Sequence, residues 1–345
     1  MIYSRIVRIL LHLLILLGSS TFGWVFDSSN REVIDVAFWN NRAFVCMTDK
    51  LPQPQSAGAS KTRKINYLAA EIFEAPWPED AARDWALKAL RIEDQELEGE
   101  CSQLRATVSI DVDARGRLFA LLLGSKNCHP RIAVIDLVLN RQIAFTELTN
   151  APRFTLRTLV VDFLNFDTRA YIGGVGDNYL LVYSLREESW WPVKFESRED
   201  VPPVPTAHLA LSKKDDLLYM TSSTSHNLFS IDTGELGGET TDGTVDCSLN
   251  RTLTPNFIGE KLGRSTGLWV DPRGGLIYSL IRDYAVVRWD SRFPLVAENH
   301  EVLLQSAETL PDVRQIFKDS QKTVWALNAF STEENLHCTK ILKLN

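Results

Sequence analysis

Gly263-Arg264-Ser265-Thr266-Gly267 has the G-x-S-x-G spacing of a nucleophile elbow, in which a serine on a sharp turn attacks an acyl carbon. That chemistry needs a strand running into a helix, so that the hydroxyl stands exposed above a parallel sheet. Here Leu268-Trp269-Val270 and then Asp271-Pro272 follow, a strand signal and its stop, and the chain has no βαβ pattern. The motif therefore predicts a turn into a strand and not a nucleophile. Gly173-Gly174-Val175-Gly176 opens like a phosphate-binding loop, but Tyr179 takes the place of the last glycine and no helix pattern follows. It reads as a tight turn between strands.

His129, His208, His226, His300 and His337 lie far apart with no i, i+4 pair, so the ligand spacing of a zinc site is missing. The acidic run Glu93 to Glu100 lacks the alternating oxygens and central glycine of a calcium loop and reads as a solvated face. These residues call for no cofactor. The cysteines are Cys46, Cys101, Cys128, Cys247 and Cys338, with no C-x-x-C pair among them. In an oxidising compartment well-separated cysteines pair. Cys101 and Cys128 flank two strand-like runs joined by a turn at Arg115-Gly116, and folding that pair back on itself brings the two cysteines together. Their bridge is the first expectation. Cys247 with Cys338 is the second, which leaves Cys46 over. Asn250-Arg251-Thr252 is a sequon that makes Asn250 a candidate glycan acceptor.

Short strands must position all of these residues. An aromatic flanked by aliphatic or small residues recurs at Phe44, Phe119, Tyr171, Tyr219, Tyr278 and Trp325, with spacings of 75, 52, 48, 59 and 47. An Asp-containing turn precedes most of them, at Asp113, Asp167, Asp215-Asp216, Asp271 and Asp319. A unit of about 50 residues holding several short strands is the size of a propeller blade. Six units predict an all-β fold, a six-bladed propeller closed into a ring of four-stranded antiparallel blades. The periodic aromatics are then packing residues between blades. The long first spacing is read as an insertion over 49–100, holding a loop and a short helix, since Ala81, Ala82, Trp85, Ala86, Ala89 and Leu90 fall roughly on one face.

The first residues read as an address. Arg5 and Arg8 precede an apolar run from Ile9 to Leu17, and Gly18-Ser19-Ser20 supplies small residues. That is the pattern of a secretory signal over 1–23, cut between Ser20 and Trp24. A spanning helix needs about 20 apolar residues, roughly twice this run. The expectation is a secreted chain with one propeller over 24–345 and no membrane partner after cleavage. Loss of both arginines takes the net charge from −7 to −9, which disfavours nucleic acid and suits a cationic ligand.

On such a ring the inter-strand loops reach the mouth of the central channel. The polar candidates there are Asp177, Asn178, Thr224, Ser225, His226, Asn227, Arg282 and Asp283. Asp177 or Asp283 offers a carboxylate to a ligand ammonium, and Tyr179 or Tyr284 offers a ring for stacking.

At these same residues the chain resembles the yellow and major royal jelly protein family of secreted insect proteins. The resemblance runs through Cys101, Asp113, Arg117-Leu118-Phe119, Gly124, Cys128 and Ile135-Asp136-Leu137. It continues through Ala170-Tyr171-Ile172, Leu181-Val182-Tyr183, Ser189-Trp190-Trp191-Pro192-Val193 and Thr323-Val324-Trp325-Ala326-Leu327. What it implies is a six-bladed propeller with a ligand pocket at the channel mouth, binding a biogenic amine or a catechol-like molecule, with a link to pigmentation, melanin or cuticle. It also implies, as the alternative, a dopachrome-converting enzyme. Leu122 and Gly174 stand where the family carries acids, so binding without catalysis is the leading expectation. A calcium-dependent propeller hydrolase is the third reading; it requires three or more oxygens converging on the channel.

Overall fold

In the computed structural model the described residues are 23–26, 31–49, 70–77, 87–92, 101, 104–152, 155–164, 166–176, 178–196, 202–237, 251–331 and 337–344, with backbone alone at 23–26 and 329–342. They form six small sheets whose innermost strands follow one another around a ring, the sixth touching the first. Blade 1 is Arg31–Trp39, Arg42–Asp49, Glu71–Pro76 and Lys88–Ala89. Blade 2 is Thr107–Val112, Arg117–Leu122, Arg131–Asp136 and Arg141–Glu147. Leu156–Leu164, Asp167–Gly174, Tyr179–Ser184 and Ser189–Phe195 make blade 3. Blade 4 is His208–Ser212, Leu217–Thr221, Asn227–Asp232 and Asn256–Glu260. Ser265–Val270, Leu276–Leu280, Ala285–Trp289 and His300–Gln305 make blade 5. Blade 6 is Val313–Lys318, Val324–Ser331 and His337–Leu344, and its fourth strand is Gly23–Phe26 from the other end of the chain.

Two details differ from a ring of six equal units. Blade 3 carries a fifth strand, Arg251–Leu253, which pairs in parallel with Ser189–Phe195. Within the stretch expected as an insertion, Glu71–Pro76 and Lys88–Ala89 are the third and fourth strands of blade 1. Where the helical pattern was expected, Phe73 pairs with Ala89 and Glu74 with Lys88; residues 78–86 and 93–100 lie outside the described set. At Lys88–Ala89 the backbone is edge-paired to the sheet.

The six aromatics all lie on the second strand of their blade, and all are buried. Phe44, Phe119, Tyr171, Tyr219 and Trp325 pack forward onto the next blade. Tyr278 packs backward, in the same cluster as Tyr219, and its neighbour Ile277 faces forward into blade 6. The offset is one residue, which on a strand reverses the face. Its origin is visible in the turn: the aromatic stands six residues after Asp113 and Asp319 but seven after Asp271.

Those aspartates staple the turn between first and second strands. Asp113 Oδ1 accepts the amides of Arg115 and Arg117, each at 2.9 Å, and Oδ2 accepts the Arg117 guanidinium. Asp271 repeats the arrangement with Arg273, Gly275 and Arg288, and Asp319 with Thr323 and the indole of Trp325. The recurring acid is thus spent on backbone amides that the turn would leave without a partner.

Candidate functional site

Because the strands of each blade alternate in direction, one face of the ring gathers the starts of the inner strands, the turns between second and third strands, and the connections between blades. This is the mouth face. Cys101 lies on the connection into blade 2 and Cys128 on the turn between its second and third strands. They form a disulfide with a Cα–Cα separation of 5.6 Å, within the range a bridge requires. Cys46 is free and buried, its thiol directed at the Thr107 carbonyl, and burial pushes it well above the usual thiol range. Cys247, the side chain of Cys338 and Asn250 lie outside the described residues.

The inner strands are tied edge to edge by side chains. Gln315 of blade 6 takes both the amide and the carbonyl of Val36 at 3.0 Å each. Asp35 of blade 1 accepts the Ser109 hydroxyl and the Ile110 amide of blade 2. Ser109 and Asp111 in turn accept the amides of Leu159 and Val161 of blade 3. Each inner strand has an edge turned to the channel, and these side chains stand in for the missing ladder partner. Burial raises the Asp35 carboxyl to about 7, although three donors favour its ionised form, and burial also raises Asp111 and Asp162. Among the described residues no group of three or more His, Cys, Asp or Glu side chains is placed to hold a metal ion.

The residues expected at the mouth separate into two kinds. Asn178 and Tyr179 of blade 3 serve the scaffold: the Asn178 carboxamide accepts the Val204 amide at 2.8 Å, and the Tyr179 hydroxyl meets Thr155 at 2.9 Å. Asp177 lies outside the described residues. Asp283 and Tyr284, on the blade 5 turn between second and third strands, are exposed together with Ile281 and Arg282. Tyr284 stands at φ 51°, a left-handed conformation that an aromatic residue adopts at a cost.

The two glycine motifs resolve as scaffold. Ser265 is buried at the start of blade 5's inner strand, with no helix after it. Gly267 has φ 62°, and a Cβ there would lie 3.2 Å from the Gln315 backbone, so the spacing reflects close approach of two inner strands. At Gly173 a Cβ would fall 1.8 Å from the Thr206 carbonyl oxygen; that turn is packed against the chain and cradles nothing.

Lys261 has no signal in the sequence pattern. It follows the last strand of blade 4, is 3% exposed, and its Nζ donates to the Thr221 hydroxyl and, at 2.9 Å, to the Ser225 carbonyl. Burial alone pushes this amine down to about 7. His208, paired in register with Thr221, is pushed down to about 4 by burial and then by the Lys261 charge. His226, which the sequence placed in the same loop, gives only its carbonyl, to the Lys261 amide. The remaining polar signal, a lysine in a Gly- and Glu-containing connection, looks like any solvated loop.

Six radial sheets around one channel define a six-bladed β-propeller. The sequence profile of the family described as "Major royal jelly protein" matches residues 106–334, and the chain belongs to that family. It is 23% identical over 318 residues to major royal jelly protein 9 of Apis mellifera, covering 83% of this chain and 68% of that protein. Among solved structures, the fold is similar to a luciferin-regenerating enzyme, with TM-score 0.52, 10% identity, and 93% and 95% of the two chains covered. It is similar as well to virginiamycin B lyase from Staphylococcus aureus, with TM-score 0.51, 9% identity, and 93% and 99% covered. At those identities the likeness concerns the fold alone.

Proposed function

We propose that this protein is a secreted small-molecule-binding member of the family, holding an aromatic or amine ligand at the mouth face, with a role connected to pigmentation or cuticle. One observation carries the reading. The blade 5 turn holds Tyr284 outward in a left-handed conformation beside the free-standing carboxylate region of Asp283, with exposed Ile281 and Leu262 nearby. An aromatic ring over an apolar rim with an adjacent carboxylate suits a ligand that has both a ring and an ammonium. Secretion is supported by the Cys101–Cys128 disulfide and the leader-like first residues. No helix among the described residues is long and apolar enough to cross a membrane.

Titration calorimetry of the purified protein against dopamine, serotonin and related catechols tests the reading, with heat expected from at least one. Absence of heat from all of them at high micromolar concentration defeats it. Dopachrome decay followed with and without protein separates binding from conversion; the proposal expects equal rates.

A further inference from the structure

Lys261 is a buried amine whose two described acceptors, the Thr221 hydroxyl and the Ser225 carbonyl, are both neutral oxygens. Structural lysines at such depth are normally matched by a carboxylate, because an unmatched buried cation is costly. Here desolvation has no opposing ion pair, so about half of the amine is neutral near pH 7 and carries a free lone pair. What covers it is slight. Ser225 belongs to the turn Ser222 to His226, made of small and polar residues, with Thr224 and His226 exposed. The turn's own backbone bond, Ser225 to Ser222, is long at 3.4 Å.

Three exposed apolar side chains stand on the mouth face beside the polar residues of these turns. Leu262, the next residue, is exposed, and so are Ile281 and Tyr284 on the blade 5 turn. The Ile281 amide bonds the Arg264 carbonyl at 3.1 Å, which fixes that turn against the Lys261-to-Ser265 connection. Asp283 Oδ2 lies 3.9 Å from where a Cβ on Gly263 would sit, so the same connection touches the rim. The titratable residues on the elements packed around the amine are His208 of the inner strand, which feels the Lys261 charge, His226 of the covering turn, Glu260 of the last blade 4 strand, Arg264 of the connection, and Arg282 and Asp283 of the blade 5 turn.

We propose that Lys261 forms an imine with a small aldehyde or ketone carried on an apolar or aromatic body, admitted beneath the Ser222 to His226 turn between blades 4 and 5. Nζ attacks the carbonyl carbon, and the carbonyl π pair passes to oxygen, which takes the proton that nitrogen gives up. Loss of water then leaves the C=N bond, with no oxidant or reductant involved. The Thr221 hydroxyl, already bonded to Nζ, is the positioning group. This assignment goes beyond the binding reading, and it does not need an amine ligand at Tyr284.

The test is reductive trapping on the full chain with 4-hydroxybenzaldehyde and cyanoborohydride, followed by peptide mass mapping. The exposed lysines Lys213, Lys214 and Lys322 serve as controls within the same molecule. At about pH 7, labelling of Lys261 is expected to exceed that of each control by roughly tenfold or more, an advantage that shrinks towards pH ~10 as the controls lose their protons. Lys261→Met removes that label and leaves the controls unchanged. Labelling of Lys261 no greater than the controls at every pH overturns the proposal, and that result needs no variant. Calorimetric heat without such labelling would keep the binding reading and defeat only the imine.

Discussion

The Asp35 carboxylate of blade 1 accepts the Ser109 hydroxyl of blade 2 at 2.7 Å, and Ser109 in turn accepts the Leu159 amide of blade 3 at 3.1 Å. Three blades are thus joined through two short side chains at the channel edge. A hydrogen bond of this kind is worth little net, but removing one partner leaves the others buried and unpaired. Asp35→Ala orphans the Ser109 hydroxyl and the Ile110 amide together, while Val36 keeps Gln315. The expected loss is about 2–4 kcal/mol by urea unfolding. A loss no larger than that of an exposed Asp→Ala control would mean that the caps do not hold the ring.

The same group sets a pH dependence. Its carboxyl is near 7 in the folded chain against 3.8 as an ordinary side chain. A raised acid favours folding fully below the unfolded value, and that advantage falls away as pH rises towards the folded value. Relative to Asp35→Asn, the native chain should therefore lose stability between about pH 4 and pH 7, with a slope of up to ~1.4 kcal/mol per pH unit, and run parallel above that. Parallel curves throughout would show that Asp35 ionises normally.

Asp271 has the opposite sign. Burial alone would raise its carboxyl, but the Arg288 side chain and the amides of Gly275 and Arg273 outweigh that and bring it below its ordinary value. Its contribution is present above the unfolded carboxyl value and is lost as pH falls through the folded one. Asp271→Ala, which strips Arg288 of its 2.5 Å partner, should cost about 2–3 kcal/mol at neutral pH, with most of the difference gone in strong acid. Thermal melts at both pH values check the direction.

The Cys101–Cys128 bridge closes a 28-residue loop (128−101+1) on the mouth face. Chain-entropy reasoning gives it about 3.5 kcal/mol. The double variant Cys101→Ala with Cys128→Ala should melt several degrees lower. Non-reducing peptide maps of the native chain should show the two peptides linked and Cys46 alkylated only after unfolding.

Much of this was legible because it is periodic. The aromatic on each second strand and the aspartate in the turn before it repeat in the sequence and turn out to be scaffold. Even the reversal at Tyr278 is written in the seven-residue step from Asp271. Lys88–Ala89 was not readable, since two residues carry no strand period and their neighbours mimic one helix face. Lys261 was hidden for a different reason. Its burial comes from a turn 36 residues earlier in the chain, which no local pattern records. Asn178 and Tyr179 carry ligand-binding chemistry, and the fold gives each a partner in a neighbouring loop as well, Val204 and Thr155. A polar loop residue and a loop-pinning residue look the same until the partner is seen.

Tyr284 separates folding from binding. At φ 51° its backbone sits in the left-handed region, where glycine carries no Cβ penalty and a bulky residue costs roughly 1 kcal/mol. The residue is 40% exposed, so the covered part of the side chain offsets some of that cost. Tyr284→Gly should thus shift stability by no more than about 1 kcal/mol, because the relieved strain opposes the added chain entropy of glycine and the loss of the covered part of the side chain. If the ring holds an aromatic or cationic ligand, the same substitution should weaken binding by roughly 0.5–2 kcal/mol in calorimetry, the range of cation–π contacts. Tyr284→Phe keeps the ring and should keep most of the heat. A Tyr284→Gly variant that binds as tightly as the native chain would remove Tyr284 from the site. A variant that loses much more stability than this would show that the turn depends on the ring for packing, and the exposed aromatic would then belong to the scaffold.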